Sequence, residues 1–239
     1  MKISVISILI IGIAIFIAAR EKDNPLYQFI NTEKDSKITA KEFVNKIDAL
    51  GYFKYTETKN LNALKQNHLE SFSQGGSWGG IWDEETNLPL DNRYYICDGE
   101  SVYEQDGFTE MLDEMKSTLE KIGFTLHIDD HFEEWDNQNE WLNHRITING
   151  NEYVIFKNFK GYGWGEAVQR LAEILNSEFK KQNIAERVYL INGGNDGSLI
   201  FLDDDLYHYF YNVFTDPQWK PLEVNEWMEV MGVKPMKLD

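Results

Sequence analysis

Apolar residues recur along this chain in three rhythms: one unbroken run near the start, several stripes at helical spacing, and short runs with the length and composition of strands. The unbroken run is "ISVISILIIGIAIFIAA", Ile3 to Ala19, flanked by Lys2 and Arg20. As a helix it spans about 25 Å, slightly under a hydrocarbon core of about 30 Å, and snorkelling Lys2 and Arg20 can close the gap. It exceeds the roughly 7 to 15 apolar residues of a signal-peptide core, so an uncleaved anchor is preferred to a removed signal. A short basic tail before an apolar run is how export segments begin, which puts the body outside the cytoplasmic membrane, although Arg20, Lys22, Lys34 and Lys37 load the other flank.

Residues 20–37 are charged, contain Pro25 and read as a linker. A small helical region follows over 38–89. Thr39 and Glu42 of "TAKE" have capping-box spacing, Phe43, Val44, Ile47 and Leu50 form a stripe, and Gly51 is the stop. Leu61 to Phe72 continue as a second helix before the glycine-rich "SQGGSWGGIWDEETNLP".

Residues 90–239 predict an α+β body of antiparallel sheets with packed helices, built from two ββαβ-like units at about 93–130 and 144–214. In the first, "RYYICDGESVYE" is a hairpin on Asp98-Gly99, Phe108, Met111, Leu112, Met115, Leu119 and Ile122 share a helix face, and "FTLHI" returns as a strand. In the second, "HRITINGNEYVIF" turns on Asn149-Gly150, Val168, Leu171, Ala172, Leu175 and Phe179 form the stripe, and "RVYLI" returns. Asn-Gly and Asp-Gly favour the positive φ of a type I′ turn, whose twist matches a hairpin. "LIFL" pairs back on "VYLI". A helix capped by Asp204 or Asp205 then buries Leu206, Tyr209, Phe210, Val213 and Phe214, and "NEWMEVMG" closes the fold.

Composition narrows the function classes. Of 239 residues 42% are hydrophobic and 14% aromatic, enough for a full core. The net charge of −17 disfavours nucleic acid and anionic surfaces and favours a basic partner, or serves solubility alone. Cys97 is the single cysteine, which excludes an intramolecular disulfide and any multi-cysteine zinc site, and it reads as a small buried hydrophobe.

Four stretches carry candidate chemistry, and in each the structural reading is preferred. Asn192, Asp196, Gly197 and Asp203 fall on positions of a calcium loop, but the segment entering it reads as a strand where a helix is required, so a glycine-rich turn is expected. "GGSWG" centres Ser77 in a nucleophile-elbow pattern without the strand that an elbow needs before it. "KGYGWGE" spaces its glycines wrongly for a phosphate cradle, with Glu166 opposing the anion that Lys157 and Lys160 would assist. "HIDDHFEE" offers His127 and His131, but in a continuous strand they lie about 13 Å apart. No catalytic residue, metal or cofactor is therefore expected.

The site residues favoured are the loop aromatics Trp78, Trp82, Tyr162 and Trp164, whose rings add contact area at small entropic cost. The functional expectation is an acidic, membrane-tethered binding or inhibitory protein that engages a basic protein or a small ligand through aromatic and carboxylate groups. Toxin neutralisers share this acidity, which is an analogy of class. The alternative is a hydrolase using Ser77 or a divalent metal.

Overall fold

The computed structural model describes residues 38–235 apart from 77, 79, 87, 137, 139 and 140. The anchor and linker expected over 1–37 therefore lie outside the described residues, as does Ser77. Among the described residues no helix is long and apolar enough to cross a membrane.

Local sequence signals set most element boundaries. Thr39 Oγ1 accepts from the Glu42 N–H at 3.2 Å while Glu42 accepts from the Thr39 N–H at 2.8 Å, so the reciprocal cap starts helix α1 (Ala40–Ala49) where the sequence places it. Gly51, at φ +81°, ends it and leads into a 3₁₀ turn, η1 (Tyr52–Tyr55), and helix α2 (Leu61–Ser73). The remaining elements are β1 (Tyr94–Ile96), α3 (Gly99–Tyr103), α4 (Gly107–Ile122), β2 (Ile128–Asp136), β3 (Trp141–Ile148) and β4 (Asn151–Phe159). They continue with α5 (Trp164–Lys181), β5 (Arg187–Ile191), η2 (Gly194–Asp196), β6 (Ser198–Leu202), α6 (Asp204–Val213) and α7 (Val224–Met231).

The molecule is α+β, with two antiparallel three-stranded sheets ordered β1-β6-β5 and β2-β3-β4, and seven α-helices among the described residues. Alternation along the first sheet sorts its residues into two cores. Tyr95, Val188, Leu190, Leu199 and Phe201 face one core with α4 and α5, while Tyr189, Ile191, Ile200 and Leu202 face another with α1, α2 and α6. Helices α4 and α5 also cover β3 and β4, whose Ile146, Ile148, Ile155 and Phe156 join the first core. The layers thus run helices, sheet, helices, sheet.

Three expectations need correction. Asp98-Gly99 makes no hairpin: Asp98 is extended and accepts from the Glu100 N–H at 2.9 Å, capping α3, so the first unit is βααβ and its β1 pairs with β6. "FTLHI" is not a strand either. Phe124 drops into the core and pairing begins only at Ile128. Asp203, one residue before the expected caps, accepts from the Leu206 N–H and starts α6.

The Asn149-Gly150 turn is as expected, both residues having positive φ. The glycine-rich segment after Ile191 is a chain reversal that joins the antiparallel pair β5 and β6, and Trp227 covers it by donating to the Asn192 carbonyl. Cys97 is buried, and burial pushes its thiol up to about 12.

Candidate functional site

A groove of about 370 Å³ opens beside β1, the outer strand of the first sheet. Three segments build it. Residues 81–83 and 88–90 lie against each other: Leu90 N–H donates to the Ile81 carbonyl at 2.8 Å, Trp82 bridges Pro89, and Asp83 accepts from the Glu85 and Thr86 N–H groups. Strand β1 contributes Tyr95 and Ile96, and the start of α4 contributes Gly107, Glu110, Met111 and Glu114. Gly107 is required by packing, because a Cβ there would lie 1.8 Å from the Ser101 carbonyl oxygen.

The groove joins apolar and acidic surface. Ile96 is 55% exposed, which is unusual for so large an aliphatic side chain. Asp98, Glu110 and Glu114 line the same space, and among the described residues no Lys or Arg pairs with any of them. Glu110 and Glu114 stand four residues apart on α4, a spacing at which like charges repel. Partial burial, and then Glu110, push the Glu114 carboxyl above its ordinary range. A cation seated between these carboxylates would reverse that shift.

Of the four loop aromatics, Trp82 lines this groove and the other three do not. Trp78 packs inward, with its ring 4.7 Å from Phe210 and 4.9 Å from Phe214 and its N–H donating to the Trp219 carbonyl. Tyr162 is 86% exposed and stands edge-on to Trp164 at 6.0 Å, at the entry to α5. Sequence reasoning missed Ile96, Glu110 and Glu114 because nothing in linear order ties β1 to α4. The available signal was the Glu110–Glu114 repetition on the exposed face of a well-defined apolar stripe.

Among the described residues, the other sequence candidates lie away from this groove. Lys157 and Lys160 do share a cleft with Glu166, joined by Lys234. The residues leading to Ser77 form α2 and not the buried strand of a nucleophile elbow. His127 is exposed on its own next to Asp129, whereas His131 meets His144 and Glu133, the single group of metal-ligand spacing among the described residues. Compared with family models, curated proteins and solved structures, the chain matches none.

Proposed function

We propose that this protein is an acidic binding module that takes a basic segment of another protein into the groove of Trp82, Ile96, Asp98, Glu110 and Glu114, with the apolar run Ile3 to Ala19 as its tether. The observation that supports the reading is the presence, around an apolar floor, of three carboxylates that no Lys or Arg among the described residues pairs with. Lysine and arginine fit both halves, because their methylene stems cover Ile96 and Trp82 while the cationic head reaches the carboxylates. The net charge of −17 would speed encounter with such a partner.

The test uses the full chain and a fluorescent lysine- and arginine-rich peptide, with anisotropy measured at low and high salt. Binding at low salt should weaken as salt rises. Glu110→Lys with Glu114→Lys should raise Kd on the order of tenfold or more. Glu134→Lys with Glu229→Lys makes the same charge change at two exposed positions away from the groove and should leave Kd within about twofold. Equal loss in both double variants would mean that only net charge matters, and the groove would lose its role.

A further inference from the structure

We propose that His131, Glu133 and His144 form a mononuclear zinc site on the β2-β3-β4 sheet. Register brings them together. Glu133 lies directly across from His144 in the β2–β3 ladder, and His131, two residues before Glu133, points from the same face. His131 Nε2 is 2.9 Å from His144 Nε2 and 4.0 Å from Glu133 Oε2, and one ligand atom from each residue lies within 4.8 Å of the others. Two imidazoles and one carboxylate are a donor set of the kind that holds zinc with three protein ligands. Tetrahedral zinc places such donors about 3.4 Å apart, so the rings must part by about half an ångström and the carboxylate must close in.

Three further observations favour an ion there. The Glu133 side chain is only 6% exposed, and among the described residues no Lys or Arg pairs with it, so its carboxylate has neutral N–H donors but no fixed cation opposite it. Its oxygens are already aimed, one accepting from the Trp135 indole N–H at 2.7 Å and the other from the Asp106 backbone N–H at 3.0 Å. The β3–β4 register shifts on both sides of His144, and irregularities of this kind re-aim a side chain next to a functional site. Phe108 packs edge-on to His144 at 5.7 Å and closes one side, while His131 keeps 21% of its side chain in solvent as an entry path.

Three protein donors leave one position open, so the bound ion would keep an exchangeable ligand. The cluster lies on the other sheet from the peptide groove and shares no side chain with it, so either proposal can fail alone.

The experiment loads the full chain with zinc after chelation and reads stoichiometry by calorimetry and by elemental analysis of the dialysed protein, with circular dichroism to confirm folding. One zinc per chain is expected, with a raised melting temperature. Loss of a partner that merely orients a ligand costs about 10- to 100-fold in affinity, so His131→Ala and His144→Ala should each weaken binding on the order of 100-fold. His144 is buried, so its variant could fail to fold; His131, partly exposed, supplies the decisive comparison. His127→Ala, at a site with a 73% exposed side chain, should change nothing. A folded chain that takes up no zinc would overturn the site. Zinc uptake that persists within about threefold in folded His131→Ala would overturn it too, since 100-fold is expected from ligand loss.

Discussion

Arg93 shows how a single charged residue fastens two layers. It is fully buried, and its guanidinium donates to the carbonyls of Tyr52 at 2.6 Å, Phe201 at 2.7 Å and Gly51 at 3.2 Å while lying 4.6 Å from the Tyr55 ring. Two of those carbonyls belong to the helical N-terminal region and one to the central strand β6, so this side chain ties residues 38–89 to the sheet. Asp91, also buried, orders the turn before β1 by accepting from the Arg93 and Tyr94 N–H groups and from the Tyr52 hydroxyl. Arg93→Ala would strand three carbonyls and open a cavity, and should cost about 3 to 5 kcal/mol in urea unfolding. A loss below about 1 kcal/mol would mean that water replaces the guanidinium, which the burial argues against.

At the scale of elements, two similar dipeptides had opposite fates, and the contrast explains what was legible in the sequence. Asn149-Gly150 turns the β3–β4 hairpin because both flanks alternate and can pair with each other. Asp98-Gly99 follows a strand of only three residues whose partner, β6, lies about a hundred residues later, while Asp98 suits an N-cap and Glu100 the first turn of a helix. Helix stripes were readable because each buries its face whatever it packs against. The pairing of β1 with β6 depends on long-range register that no local turn fixes, whereas Glu133 and His144 stand only eleven residues apart on the consecutive strands β2 and β3. That is why the groove escaped the sequence reading while the helices did not; the histidine cluster escaped it because the strand expected to end at Ile128 begins there instead.

Asn149 also does more than turn the chain. Its side chain accepts from the His127 N–H at 3.0 Å and donates to the Thr125 carbonyl at 2.9 Å and to Glu178 at 3.0 Å. Asn149→Ala should cost about 2 to 3 kcal/mol, combining left-handed strain with lost hydrogen bonds. Asn149→Gly should recover about 1 kcal/mol of that by relieving the strain alone. Equal losses in the two variants would assign the whole effect to the side chain.

Across the whole molecule, the network that Asn149 joins makes stability depend on pH. Glu178 sits buried in the last turn of α5, held by the Tyr153 hydroxyl at 2.5 Å, Lys181 at 2.9 Å, and Asn149 and Asn151 each at 3.0 Å. Burial alone would raise its carboxyl, but the hydrogen bonds from Tyr153, Asn149 and Lys181 together outweigh it and hold the group below its ordinary value of 4.5. Glu186, buried against Lys54 and Tyr55, is lowered in the same way. A carboxyl depressed in the folded state contributes stability that is present above 4.5 and is lost as pH falls through the folded value, because the unfolded chain takes up the proton first. Titration of the acidic surface acts in the opposite direction, since a chain of net charge −17 repels itself less as it approaches its isoelectric point near 4.7. The two effects separate in Glu178→Gln, which leaves the other surface acids in place and deletes one buried titration. Urea unfolding from pH 7 to pH 3 should show the variant less stable than the native chain near neutrality, with the gap narrowing below about pH 4.5 as Glu178 of the unfolded chain takes up its proton ahead of the folded one. A gap that stays constant over that range would mean that Glu178 stabilises the fold only through packing and neutral hydrogen bonds.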